Sequence, residues 1–212
     1  MGYNKVMEGR SRFMKKTKTE ILNALLLEQN GFLKTSDAVG NGISKTYFMD
    51  FVKKSGLIRA AHGLYKSRDA WDDGMFVIQV RYPEIVFSHE TALYLLKLAD
   101  REPTNYSVTM KTGKNATGLT NQGTKVYKIR DTLFEEGLTT MPSPAGNTLR
   151  AYNAERTICD LFRSRRNVEI QTLQSAVKEY LRRETKNIPQ LLRYAKGLSV
   201  EKAVRWYLEA LL

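Results

Sequence analysis

The chain contains one cysteine, two histidines and no long apolar run. A single cysteine, Cys159, cannot build a disulfide framework or a thiolate metal site. Its apolar neighbours recur at helical spacing, so we predict a buried thiol. Neither a stretch of about 18 apolar residues nor the apolar segment of a signal peptide occurs. These absences argue against export and a membrane span, and they favour a cytoplasmic protein.

Signatures of common enzyme active sites are also missing. The patterns HxxxH, CxxC and GxSxG do not occur, and His62 and His89 lie 27 positions apart. Glu155 and Asp160 are five positions apart in a helical pattern, so their carboxylates would diverge. The segment "GKNATG", residues 113–118, lacks the Gly-Lys-Ser/Thr ending of a phosphate-binding loop. We therefore expect no catalytic residue, no metal site and no cofactor.

Basic residues outnumber acidic ones by 34 to 22, which gives a formal charge of +12. The excess is uneven, because residues 1–70 carry +7, residues 71–150 are neutral and residues 151–212 carry +5. A chain with this surplus attracts polyanions. Nucleic acid is therefore the first partner to consider.

The first 70 residues begin with two helical patterns. Thr17 and Glu20 have capping-box spacing and precede a first helix that ends near Gly31. Either Thr35 or Ser36 can cap a short second helix. A turn rich in glycine then separates this helix from the next apolar pattern.

A third helix and a hairpin follow. Ser44 can cap the helix, which ends at Gly56. The side chains that would face the core are Phe48, Phe51 and Val52. Two short strands, residues 57–60 and 63–66, predict a hairpin in which Gly63 can adopt a positive φ. This order of elements is typical of a winged helix-turn-helix.

A winged helix-turn-helix predicts binding to double-stranded DNA, with the third helix in the major groove and the hairpin against phosphates or the minor groove. Cationic side chains supply affinity, and hydrogen-bonding groups at the helix start can contact base edges. The candidate recognition-helix residues are Ser44, Lys45, Thr46, Tyr47, Lys53 and Lys54. The candidate wing and arm residues are Arg59, His62, Lys66, Lys15, Lys16 and Lys18. The alternative is a protein-binding surface on which Lys53 and Lys54 only stabilise the helix end.

Residues 67–74 are polar and predict a junction between a DNA-binding domain, 1–70, and a second domain, 71–212. The predicted strands of the second domain are residues 106–110, 124–130 and 148–152, and its predicted helix caps are Ser88, Asn153 and Ser199. From Asn153 onward the pattern is helical. The predicted fold class is α+β, with an N-terminal winged helix-turn-helix followed by a mixed α/β domain that ends in an α-helical cluster.

The C-terminal helices carry a dense set of basic side chains. Solvated helix faces account for some of them, but "RSRR" concentrates positive charge within one turn. We assign a nucleic-acid or protein contact surface, as a hypothesis, to Arg163, Arg165, Arg166, Lys178, Arg182 and Arg183.

Three segments resemble the AbiEi antitoxins of bacterial type IV toxin-antitoxin systems, which also act in abortive phage infection. They are "GLIRAAHGLYK", "YPEIVFSHETALYLL" and "LRAYNAERTICDLFR". The similarity extends over nearly the whole chain, and its most specific element is the helix at residues 155–162. Carried over to this sequence, the DNA-reading role falls on residues 44–47 and the wing on residues 59–66.

The resemblance implies a repressor that binds inverted repeats in the promoter of its own operon through the winged helix. The second domain would supply antitoxin activity, and the six basic residues above become a candidate antitoxin surface. The implied functional partner is an AbiEii-type nucleotidyltransferase toxin, which is countered without a stable complex. Two other functions stay open, a ligand-responsive winged-helix regulator with an apolar pocket and an RNA-binding protein. No heptad seam is visible, so we expect a monomer or weak dimer in solution.

Overall fold

The computed structural model describes residues 16–211, which divide into two compact units between Ala70 and Trp71. Each unit is built around its own apolar core. The elements of the first unit are α1 (Lys18–Glu28), β1 (Phe32–Lys34), α2 (Thr35–Gly40), α3 (Lys45–Lys54), β2 (Ile58–Ala61) and β3 (Leu64–Lys66).

The helices of the first unit follow the sequence prediction closely. Thr17 and Glu20 form the expected capping box, in which each side chain accepts a hydrogen bond from the backbone N–H of the other residue. Ser44 caps α3 as predicted. The buried core residues are Leu22, Leu33, Ala38, Ile43, Phe48, Phe51 and Val52.

The small sheet of this unit is antiparallel and has the order β1-β3-β2. The predicted hairpin is confirmed, and Gly63 adopts a φ of +69° at its turn. Strand β1 is absent from the sequence prediction, because three residues are too short to show an alternation. The prediction for α2 is wrong in one detail: Lys34 precedes the helix, and neither Thr35 nor Ser36 caps it.

The second unit combines a five-stranded sheet with helices. Its elements are α4 (Gly74–Arg81), β4 (Val86–Phe87), α5 (His89–Leu95), β5 (Ser107–Lys111), α6 (Thr117–Thr120), β6 (Lys125–Ile129), α7 (Asp131–Phe134), β7 (Leu138–Pro142), β8 (Thr148–Tyr152), α8 (Ala154–Arg163), α9 (Ile170–Arg182), α10 (Ile188–Gly197) and α11 (Glu201–Leu211). The strand order is β6-β5-β4-β8-β7. The pairs β5/β6 and β4/β8 are parallel, whereas β4/β5 and β7/β8 are antiparallel.

Helix α8 lies at the centre of this unit and packs against α5, α9, α10 and α11. Its apolar residues Ile158, Leu161 and Phe162 are buried, as predicted, and Asn153 caps its first turn. Cys159 is buried too, and burial raises the pKa of its thiol. The α+β fold class is therefore confirmed, including the helical C-terminal part.

Two predicted caps of the second unit are wrong. The Ser88 hydroxyl makes no capping bond to α5 and instead contacts the side chains of His89 and Thr109. Helix α11 begins at Glu201, so Val200 rather than Ser199 precedes it, and Ser199 adopts a φ of +60°. Among residues 16–211, no helix is both long enough and apolar enough to span a lipid bilayer.

Candidate nucleic-acid interface

The start of α3 is fixed by capping and by the core. Ser44 precedes the helix in an extended conformation, and its Oγ accepts a hydrogen bond of 3.3 Å from the Tyr47 N–H. Ile43 and Phe48, on either side of this cap, are both buried. The side chains of Lys45 and Thr46 are left exposed on the first turn, where hydrogen-bonding groups can contact base edges.

A groove separates α3 from the β2–β3 hairpin, which we call the wing. Lys45 and Met49 line it on the helix side, and Arg59, His62 and Tyr65 line it on the wing side. We call it the helix-wing groove. It places basic side chains from both elements around one concave surface, as a DNA backbone requires.

Contacts within the wing hold Arg59 and His62 together at the groove. The Nη2 atom of Arg59 lies 3.2 Å from Nδ1 of His62, and its Nε donates to the carbonyl of Ala61 at 3.3 Å. Both side chains remain exposed. The guanidinium is thus oriented by the hairpin backbone while its remaining N–H groups are free to donate to a phosphate.

Tyr65 joins the wing to the recognition helix. Its ring packs edge-on against Phe48 with 5.5 Å between the ring centroids, and its hydroxyl lies 3.5 Å from the Met49 sulfur. Sequence reasoning missed Met49 and Tyr65 as groove residues. The alternation of β3 could have found Tyr65, because Leu64 is fully buried and the next side chain must point to the opposite face.

Tyr47 lies on a different side of α3 from the groove. Its hydroxyl is 2.8 Å from Thr19 Oγ1 on α1, and the Lys18 ammonium lies 5.4 Å from its ring centroid. Together with Asp50 and Lys54 it lines a cleft between α1 and α3. The structure therefore assigns Tyr47 to this second cleft, with Lys18 beside its ring.

The other predicted residues of the first unit have differing surroundings. Lys53 and Lys54 are exposed in the last turn of α3, and Lys16 is exposed just before α1. Lys66 is only half-exposed at the end of the wing, and its Nζ lies 3.4 Å from the carbonyl of Ala70. The arm residue Lys15 lies outside the described residues.

The six basic residues predicted in the second unit line two different clefts, except Arg183. Arg163, Arg165 and Arg166 line a cleft at the turn between α8 and α9. Lys178 and Arg182 line another cleft beside residues 97–101. Arg183 has a structural role, because its Nη2 donates to the carbonyls of Leu96 and Lys97 at 2.9 and 2.6 Å, at the end of α5.

A buried charged network on α8 escaped the sequence prediction. Arg156 is fully buried and its Nε lies 3.2 and 3.1 Å from the two carboxylate oxygens of Asp160. Its Nη1 donates to the carbonyls of Leu133 and Glu136 at 2.6 and 2.7 Å. Glu155 has a separate partner, the Tyr180 hydroxyl at 2.9 Å. The polar residues of "ERTICDLF" thus hold the core of the second unit together.

Comparisons with known proteins show a fold relationship. No protein-family model matches the chain, and a search of curated proteins also found no match. Among solved structures, the chain is similar to the RV2827C protein of Mycobacterium tuberculosis, with a TM-score of 0.53 and 14% sequence identity. The match covers 84% of this chain and 70% of that protein. At 14% sequence identity, the similarity between the two structures establishes a shared fold.

Proposed function

We propose that the chain is a DNA-binding autorepressor and the antitoxin of a type IV toxin-antitoxin operon. The observation that carries the DNA-binding part is the helix-wing groove. There Lys45 of the recognition helix and Arg59 and His62 of the wing line one exposed concave surface. This arrangement matches the way a winged helix engages a duplex.

Electrostatics and hydrogen bonding have separate roles in this proposal. Lys45 and Arg59 neutralise phosphates, releasing counterions and making the affinity depend on salt. Thr46, exposed beside Lys45 at the start of α3, is positioned for base edges, where a good contact contributes about 1 to 3 kcal/mol of discrimination. The DNA target is an inverted repeat in the promoter of the protein's own operon, bound by two copies that are monomers or weak dimers in solution.

The antitoxin part rests on the resemblance to AbiEi antitoxins and on the charge of the second unit. Arg163, Arg165 and Arg166 line one cleft, and Lys178 and Arg182 line another. Arg183 is left out of this surface, because its guanidinium holds the end of α5. We propose that these two clefts counter a nucleotidyltransferase-like toxin without a stable complex.

One cell-based experiment tests both parts. A strain carries a reporter driven by the operon promoter and an inducible copy of the neighbouring toxin gene. The variant Lys45→Glu/Arg59→Glu should lose repression and keep rescue from the toxin. The variant Arg163→Glu/Arg165→Glu/Arg166→Glu should lose rescue and keep repression.

The pattern of losses decides the outcome. The double variant and the triple variant serve as controls for each other, because both reverse exposed charges of the same protein. Loss of both activities in both variants, with soluble protein levels maintained, would contradict the division of labour. Tighter binding of structured RNA than of the promoter duplex would favour the RNA-binding alternative instead.

A further inference from the structure

The cleft at the turn between α8 and α9 has an unusual composition. The residues that line it are Phe162, Arg163, Ser164, Arg165, Arg166, Asn167, Leu198, Ser199 and Val200, and none is acidic. Its volume is about 460 Å³, within the range of small-molecule sites. Three arginines from four consecutive positions therefore face a concave surface that contains no carboxylate.

Within residues 16–211 these arginines have no carboxylate partner, unlike some other basic residues of the unit. Arg182 lies 3.6 Å from Glu179 and Arg205 lies 2.8 Å from Glu201, so both are paired. None of the three cleft arginines forms an ion pair with another residue between 16 and 211. Like charges held this close repel one another, and an anion in the cleft would remove that repulsion.

Backbone groups add to the positive potential. Ser199 and Val200 line the cleft immediately before Glu201, where the 11-residue helix α11 begins. The first N–H groups of a helix have no intrahelical acceptor and attract anions. The carboxylate of Glu201 offsets only part of the positive potential at this helix end, because its Oε1 atom also accepts two hydrogen bonds from Arg205, at 3.0 and 2.8 Å.

A chain of buried hydrogen bonds orients Ser164 at the same cleft. Thr109 Oγ1 donates to Ser88 Oγ at 2.9 Å, and Ser88 Oγ lies 3.0 Å from Nδ1 of His89. Ser88 is fully buried. Nε2 of His89 lies 3.0 Å from Ser164 Oγ, and Ser164 also lines the cleft. His89 therefore holds the Ser164 hydroxyl in place at the cleft.

We propose that this cleft binds the polyphosphate chain of a nucleotide, with Arg163, Arg165, Arg166 and the Ser164 hydroxyl as its ligands. Because the arginines lie within four consecutive positions, their guanidinium groups can contact adjacent phosphates such as those of a triphosphate. Guanidinium groups suit phosphate oxygens because they donate in pairs. The proposal deepens the antitoxin function proposed above by giving one of its two clefts a ligand chemistry.

The test is calorimetric titration of the full chain with inorganic triphosphate and, separately, with ATP. We expect Arg163→Gln/Arg165→Gln/Arg166→Gln to weaken binding of both by at least about 30-fold, and Ser164→Ala by about 10- to 100-fold, as for hydrogen bonds to charged groups. The matched control is Lys114→Gln/Lys186→Gln/Arg193→Gln, which removes three exposed positive charges that do not line the cleft. This control should bind within about twofold of the wild type.

The outcomes separate this proposal from the antitoxin function. Similar affinity for triphosphate and ATP supports recognition through phosphates, and tighter binding of ATP supports it with added nucleoside contacts. Absence of binding to either probe, or equal losses in the cleft variant and the control, overturns the proposal. If the wild type binds neither probe while charge reversal of the three arginines still abolishes toxin rescue, the antitoxin surface stands and the polyphosphate site does not.

Discussion

His89 is a buried histidine whose neighbours require it to be neutral. Burial is the largest cause that lowers its pKa, from 6.5 to about 3, and the positive charges of Arg163 and Arg156 lower it further. Its ring stacks on Tyr127 at a centroid distance of 3.4 Å. The residue also adopts a φ of +48°, a conformation that favours glycine or asparagine. His89 is therefore a structural residue that connects α5 to the end of α8.

The pKa of His89 predicts a loss of stability in acid. The contribution of His89 to the free energy of unfolding is fully present above pH 6.5, which is its pKa in the unfolded chain. This contribution declines as the pH falls towards 3, because the unfolded chain binds a proton that the folded chain excludes. The slope from this one residue reaches at most about 1.4 kcal/mol per pH unit. Asp160 acts in the opposite direction, since burial raises its pKa to about 6.

Urea unfolding from pH 7.5 to pH 4.5 measures this effect when the wild type is compared with His89→Asn. Asparagine tolerates the positive φ and does not titrate, and the contribution of Asp160 is common to both proteins. Circular dichroism follows the loss of helix, and most of the described helices belong to the second unit. We expect the stability advantage of the wild type to shrink as the pH falls. An advantage that is constant over this range would contradict the buried neutral imidazole.

At the scale of elements, α8 shows why charged residues can be necessary inside a core. Asp160 is 2% exposed and Arg156 is fully buried, and the guanidinium also lies 4.3 Å from the Tyr152 ring centroid. Arg156 further donates to one carbonyl of α7, that of Leu133, and to one that follows α7, that of Glu136. Helix α8 is thereby attached to residues 23 and 20 positions away in the chain. Removing one partner of the Arg156–Asp160 pair would leave an uncompensated buried charge.

We predict that Asp160→Ala lowers the free energy of unfolding of the second unit by about 3 to 5 kcal/mol. The matched control is Asp131→Ala, because Asp131 forms a surface pair with Lys111 at 3.9 Å and its side chain is 70% exposed. That change should cost less than about 1 kcal/mol. Urea unfolding followed by circular dichroism at pH 7.5 measures both. Losses of equal size would show that the buried pair has no special role.

The elements also show what local sequence can predict. The capping box of α1 and the cap of α3 depend on residues three positions apart, so the sequence indicated them correctly. Strands β4 and β7 were missed, because two residues are too short for a pattern and β7 leads into a turn with proline. Ser88 could not be assigned from sequence, because its partner Thr109 lies 21 positions away.

The same limit applies to the candidate sites. The basic residues that line the helix-wing groove could be predicted, because each follows from its position in a short motif, and their contact with DNA stays a prediction. The sequence did not predict that the Arg183 guanidinium holds the end of α5. It also did not predict that Lys178 and Arg182 line a different cleft from the three arginines, because a high density of basic residues in the sequence does not give their positions in space. The chain of hydrogen bonds from Thr109 to Ser164 likewise joins residues of β5, α5 and the end of α8, which are distant in the sequence.

At the scale of the whole molecule, the two basic ends of the sequence correspond to different units. The first unit carries the helix-wing groove, and the second carries the arginine cleft. A chain with a surplus of +12 would bind any polyanion weakly, so the specific DNA binding proposed above depends on particular residues rather than on the total charge.

The most direct test measures the dissociation constant of the full chain for its promoter duplex at several salt concentrations. Each phosphate contact contributes about 0.9 to the slope of log affinity against log salt, so Lys45→Gln/Arg59→Gln should reduce that slope by about 2. The control Lys186→Gln/Arg193→Gln removes two exposed charges of the second unit and should leave the slope unchanged. An unchanged slope in the first variant, or an equal reduction in both, would contradict the claim that the recognition helix and the wing hold the DNA.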